Sequence, residues 1–201
     1  VLKSLPFALS DEQQAAVDEI LTDMQSSDRI MNRLLLGDVG TGKTAVAMVA
    51  LASCADTGTQ ACVMAPTSVL ARQYASSCEQ AGVRCALLTG STPAAERDRM
   101  LFALGCGELD ILFGTHAVLG DDVVFSHLSL VVIDEQHRFG VEQRAKLWLK
   151  NVSPPHVLVM TATPIPRTLH MSLIGIRDMS VLEEPPMDRM PIQTYVMEYD
   201  E

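Results

Sequence analysis

The sequence predicts an α/β fold: a mainly parallel central sheet with helices on both faces. Three observations carry that expectation. Short apolar runs alternate with helix-compatible stretches along the whole chain, the pattern of strands joined by helical crossovers. A glycine-rich loop, Gly37-Asp38-Val39-Gly40-Thr41-Gly42-Lys43-Thr44, sits between the apolar run Arg33-Leu34-Leu35-Leu36 and the helix-compatible Ala45–Ala52. The apolar run Leu128–Ile133 ends in Asp134-Glu135, two carboxylates at the strand end where ligands sit in open α/β sheets.

The 201 residues suit one α/β domain of ordinary size or slightly more. Such a chain buries about 70% of its unfolded surface and needs no staple. Only 4% of it is aromatic, so the core must be built mostly of Ala, Val, Leu, Ile and Met. With 15 Lys and Arg against 25 Asp and Glu, the formal charge is −10. This argues against a basic nucleic-acid-coating module, but leaves room for phosphodiester contacts through amides and hydroxyls. Cys54, Cys62, Cys78, Cys85 and Cys106 form an odd set without a C-x-x-C pair, read as reduced thiols of an intracellular protein. There is no 18-residue apolar run and no signal-peptide pattern. The first residue is Val, which suggests an excised fragment.

Taken in order, Val1–Ser10 is a lead-in. Ser10 and Gln13 make a capping box, and Val17, Ile20, Leu21 and Met24 line one face of the helix that follows. After the glycine loop and its helix, Ala61–Ala65 reads as a strand stopped by Pro66, and Thr67–Ala81 as a helix ended by Gly82. Cys85–Leu88 is a strand closed by Thr89-Gly90-Ser91, and Pro93 opens a helix to about Leu104. Asp110–Phe113 is a strand running into Gly114-Thr115-His116, and Leu128–Ile133 is the most apolar strand, ending in Asp134-Glu135. A helix is expected around Val141–Lys150, and a strand over His156–Met160 capped by Thr161-Ala162-Thr163. A further helix is expected after Pro164-Ile165-Pro166, to about Ile174, and a linker over Glu184–Asp188. The total is six or seven strands.

The glycine loop matches G-x-x-x-x-G-K-[ST], whose backbone N–H groups converge on phosphate oxygens at a helix start. Lys43 would reach the β- and γ-phosphates, and the Thr44 hydroxyl would bind Mg²⁺. Hydrolysis also needs a metal-orienting carboxylate and a base for water. Asp134 would hold Mg²⁺ through water, and Glu135 would polarise the attacking water. Thr161 and Thr163 could sense the γ-phosphate or relay its loss; the alternative is a plain Thr-rich turn before prolines.

The order of these motifs, Gly37–Thr44, Ala65-Pro66-Thr67, Thr89-Gly90-Ser91, Gly114-Thr115-His116, Asp134-Glu135-Gln136-His137 and Thr161-Ala162-Thr163, resembles that of superfamily 2 helicases. The stretches Asp134–Arg144 and Thr161–Leu169 narrow the resemblance to the RecG family of ATP-dependent branched-DNA helicases, over about Leu5–Val196. Three positions depart from that pattern: Leu36 for a usual Gln, Ser68 for a common Glu, and Tyr74 near a usual His. None is expected to touch the nucleotide chemistry.

The resemblance implies a RecA-like P-loop NTPase lobe, the first of two, over residues 1–185, with residues 186–201 a linker and the start of the second lobe. It implies ATP and Mg²⁺ as cofactors, held by Gly37, Asp38, Val39, Gly40, Thr41, Gly42, Lys43 and Thr44. Gln13 would read adenine with Phe7 against the ring, beside or instead of its capping role. Gln136 and His137 would couple the nucleotide to the neighbouring lobe, though His137 read alone is an ordinary hydrogen-bonded histidine. Thr67, Arg72, Thr89, Ser91, Thr115 and His116 would lie along a DNA track of phosphate and sugar contacts; the other reading of each is a plain loop residue.

The implied partners are branched or forked DNA, a second lobe and a wedge domain, in a monomeric, cytoplasmic, nucleoid-associated bacterial protein with no membrane contact. Repair, recombination and stalled-fork remodelling are the implied processes. The lobe alone is expected to bind ATP weakly and turn it over very slowly, because the second lobe brings the arginines that stabilise the transition state. A transcription-repair coupling translocase and a non-helicase nucleotide switch are the competing readings.

Overall fold

The computed structural model describes residues 9–26, 30–37, 42–134, 155–161 and 178–182. The helices expected over 141–150 and up to Ile174, the linker from Glu184 and the start of the second lobe expected by residue 201 lie outside those residues.

Among the described residues, seven strands form one sheet: β1 (Asn32–Gly37), β2 (Gln60–Met64), β3 (Cys85–Leu88), β4 (Ile111–Gly114), β5 (Leu128–Asp134), β6 (His156–Thr161) and β7 (Asp178–Leu182). Their order is β3-β4-β2-β5-β6-β1-β7. Every pairing is parallel. The helices among the described residues are α1 (Asp11–Gln25), α2 (Lys43–Asp56), α3 (Ser68–Gln80) and α4 (Ala94–Gly105), with a short 3₁₀ helix over His116–Leu119.

Strand alternation sends neighbouring residues into two cores. On one face Leu35, Val63, Phe113, Val132 and Leu158 pack with Ile20 of α1, Val46 and Leu51 of α2, and Cys78 of α3. On the other, Leu34, Cys62, Leu112, Val131 and Val159 pack with Leu104 of α4, and with Val118, Val123 and Phe125. Strands covered on both faces have no polar side to show, which is why β2 and β4 are buried at every position.

Local chemistry sets most of the boundaries. The Ser10 hydroxyl accepts from the Gln13 N–H at 3.2 Å, and Gln13 Oε1 accepts from the Ser10 N–H at 2.9 Å. This is the reciprocal capping box expected from the sequence. Thr67 caps α3, accepting from the Leu70 N–H at 3.3 Å. Gly82, with φ of 82°, turns the chain out of α3.

The end of the sheet away from the strand-end motifs is held by polar groups. Arg33 is buried on β1 and reaches Glu19 at 2.9 Å and Asp23 at 2.7 Å on α1, and the Ser180 hydroxyl on β7 at 3.0 Å. Nearby, His156 Nδ1 accepts the Met31 N–H at 2.9 Å. Burial lowers the His156 pKa from its ordinary 6.5, against the opposing pull of Asp23 and a hydrogen bond to the Met24 backbone. The unfolded chain therefore takes up the proton before the folded one does. Stability is expected to be unpenalised above pH 6.5 and to fall as pH drops below it. Thermal unfolding midpoints from pH 7.5 down to pH 5 check this. His156→Gln should flatten that part of the profile, and an unchanged slope would remove His156 as its source.

Candidate nucleotide site and the adjoining strand ends

Parallel strands bring all their carboxyl ends to one edge. Gly37, Met64, Leu88, Gly114, Asp134 and Thr161 end β1, β2, β3, β4, β5 and β6. The strand order then divides the edge. Thr67, Thr89 with Ser91, and Thr115 with His116 follow β2, β3 and β4, which are contiguous in the sheet. Gly37, Asp134 and Thr161 end β1, β5 and β6, also contiguous. Of the described residues, Gly37, Asp134 and Thr161, expected at the nucleotide, thus end strands adjoining those that lead into Thr67, Thr89, Ser91, Thr115 and His116.

On the nucleotide half, Gly42 precedes α2 in the left-handed conformation, with φ of 81° and ψ of 32°, and makes no side-chain cap. The first turn of α2 carries no acid and begins with Lys43. α1 is the opposite: its start is fully capped, with Asp11 and Glu12 in the first turn. A cation and uncapped N–H donors at a helix N-terminus are unfavourable unless an anion arrives. The start of α2 therefore has features that suit an anion. Lys43, half-buried, donates through Nζ to the Gly37 carbonyl at 2.5 Å, and Thr44 is exposed beside it.

Asp134 ends β5 in register with Met160 of β6, and Leu35 of β1 is also paired with Met160. β1 and β5 are two strand spacings apart, on the order of 10 Å. Alternation along Leu130–Asp134 points Asp134 to the face covered by α1, α2 and α3. Its Oδ2 accepts the Tyr74 hydroxyl of α3 at 2.5 Å. The sequence expectation that Tyr74 stands apart from the nucleotide residues is therefore corrected: it touches the carboxylate expected to orient the metal. The missed signal was the helical spacing of Ala71, Tyr74, Ala75 and Cys78, which half-buries a phenol whose hydroxyl then needs a partner.

Thr161 is 3% exposed at the end of β6. Gln13 is 1% exposed and belongs to the capping box. Phe7, Asp38, Val39, Gly40, Thr41, Glu135, Gln136, His137 and Thr163 lie outside the described residues.

On the other half, the Thr89 and Ser91 hydroxyls are 3.0 Å apart, and Thr92 Oγ1 accepts the Thr89 N–H at 3.0 Å. Thr115 opens the 3₁₀ helix, and His116, Thr67 and Arg72 are exposed. Thr67 accepts with its oxygen when it caps α3, which leaves its O–H able to donate to a phosphate.

Residues 10–172 match the DEAD/DEAH box helicase family. The chain belongs to that family. Among DEAD/DEAH box helicase relatives, it is 51% identical over 203 residues to the ATP-dependent DNA helicase RecG of Bacillus subtilis, covering 99% of this chain and 30% of that protein. It is 43% identical to RecG of Thermotoga maritima, covering 99% of this chain and 26% of that one. A solved structure of RecG bound to a three-way DNA junction superposes with a TM-score of 0.79 at 40% identity, covering 96% of this chain and 26% of that chain. The DEAD-box helicase Mss116 bound to single-stranded RNA shares the fold, with a TM-score of 0.66 at 21% identity. The seven-stranded parallel sheet is thus the RecA-like lobe of these helicases. The chain spans about 30% of the length of the B. subtilis relative.

Proposed function

We propose that this chain is the ATP-binding lobe of an ATP-dependent branched-DNA helicase of the RecG type. One observation carries the reading: the uncapped, lysine-led start of α2, which follows β1, lies on the same sheet face as Asp134 of β5, a strand two along from β1. That arrangement fits a nucleoside triphosphate with its magnesium. The relatives named above are RecG proteins, which favours branched DNA over the transcription-repair coupling alternative.

The phosphates would lie against the α2 N-terminus and Lys43, with magnesium held by Thr44 and, through water, by Asp134. Bound there, magnesium supplies charge neutralisation to the phosphate oxygens. Lys43 gives a fixed positive charge where the transferred group gains negative charge. Glu135 orients and deprotonates the attacking water. Gln13 and Phe7 would take the adenine, and Gln136, His137, Thr161 and Thr163 would relay the state of the γ-phosphate.

Thr67, Arg72, Thr89, Ser91, Thr115 and His116 would contact one DNA strand along β3, β4 and β2 without reading its sequence. Residues 1–185 would form the lobe, with 186–201 leading towards a second one. No described helix is long and apolar enough to cross a membrane. Action on DNA in a monomeric, cytoplasmic, nucleoid-associated bacterial protein fits this role.

In the full-length protein, Glu135→Gln is expected to bind ATP with near-normal affinity and to lose hydrolysis by at least ~100-fold, the scale of a general base. Single-turnover hydrolysis beside equilibrium nucleotide binding measures both. Normal turnover in this variant would remove Glu135 as the base.

A further inference from the structure

Tyr74 reaches the nucleotide half of the edge from outside the expected motifs. It is positioned by its helix. Ala71, Ala75 and Cys78 bury the inner face of α3, and Tyr74 lies on that face, partly buried against the same core. The helix start is fixed by the Thr67 cap. The phenol is therefore delivered to Asp134 by a packed element, and it crosses 60 residues of sequence to do so.

We infer that Tyr74 is a positioning residue for the metal: its hydroxyl fixes the rotation of the Asp134 carboxylate through Oδ2. This rests on the reading of Asp134 as the magnesium-orienting acid. Three features support it. An O–H donor to an ionised carboxylate makes a short, strong bond, and 2.5 Å is at the short end of that range. A carboxylate at a strand end is otherwise free to turn about its side-chain torsions, and a phenol on a rigid helix removes that freedom. The bond engages one oxygen and leaves the second outside it, as a carboxylate serving a hydrated cation requires. Partners of this kind, one shell beyond the metal, typically set its affinity by about 10–100-fold.

The experiment uses the full-length protein and a fluorescent, non-hydrolysable ATP analogue. Its affinity is measured across a magnesium titration for wild type, Tyr74→Phe and Asp134→Asn, with thermal unfolding of each. Tyr74→Phe keeps the ring and deletes only the hydroxyl. It is expected to raise the magnesium concentration for half-maximal tightening by about tenfold, with an unchanged melting midpoint. Asp134→Asn should shift it at least as far. If Asp134→Asn shifts the titration and Tyr74→Phe does not, the inference falls and the reading of Asp134 stands. If neither shifts it, the reading of Asp134 fails and takes the inference with it. If Tyr74→Phe weakens nucleotide binding equally with and without magnesium while lowering the melting midpoint, Tyr74 is a packing residue and the inference is overturned.

Discussion

Replacing Lys43 with alanine is expected to abolish detectable ATP turnover in the full-length protein while leaving the lobe folded. Lys43 is the first residue of a helix with no side-chain cap and no acid in its first turn. Its ammonium group bonds a carbonyl oxygen, that of Gly37, at 2.5 Å. A phosphate oxygen, carrying full negative charge, is a stronger acceptor for the same group. The stabilisation lost is greatest in the transition state, where charge on the transferred group spreads over its oxygens. Removing one preorganised electrostatic donor costs about 10²–10³ in kcat, and loss of a formal charge from the phosphate site belongs at or above that range. Steady-state phosphate release with saturating DNA checks it. Turnover within tenfold of wild type would show that Lys43 does not face the reacting phosphate. Folding should be spared, because Lys43 makes no ion pair among the described residues and is half-buried.

The second large effect is on stability. Gly114 ends β4 in register with Leu88 of β3. A Cβ added there would lie 2.2 Å from the Leu88 carbonyl oxygen and 2.6 Å from Val118 Cγ1. The nearer atom is backbone, so no rotamer change relieves the clash, and β3 and β4 must separate at their ends. Gly114→Ala is expected to destabilise the lobe by about 3 kcal/mol, the upper end of overpacking costs. For a domain of this size that is a fall of roughly 6–12 °C in melting midpoint. The displaced ends carry Thr89 and Thr115, so DNA affinity should fall with stability, while the nucleotide half of the edge is spared. Differential scanning calorimetry gives the first number. A midpoint within 2 °C of wild type would mean that the strand ends yield more easily than a paired backbone should.

How much of this was legible in the sequence depends on how far apart the interacting residues lie. The Ser10–Gln13 box and the bounds of β3 follow from contacts within a few residues, and the structure reproduces them. Motif order along the chain also carried through, because parallel strands convert sequential strand ends into one spatial edge. β7 was not anticipated. Asp178-Met179-Ser180-Val181-Leu182 has no strong run of β-formers, and its strand character comes from pairing with β1. The Arg33 network was equally hidden, since Arg33 and Ser180 are 147 residues apart. Tyr74 is the instructive case. As a departure from the family pattern it is not expected to touch the nucleotide chemistry, yet the packing of α3 on the sheet brings its hydroxyl to Asp134. The demand for glycine at 114 is likewise set by a β3 carbonyl oxygen that only strand register places beside it.

The most direct test of the account is unwinding of a labelled three-way DNA junction by the full-length protein, with Lys43→Ala as the paired control. The prediction is ATP- and magnesium-dependent strand release by the wild-type protein. The variant should bind the junction with similar affinity and release nothing. Junction unwinding that persists in Lys43→Ala, or a wild-type protein that hydrolyses ATP without separating the branched substrate, would contradict the assignment of this lobe to a branched-DNA helicase.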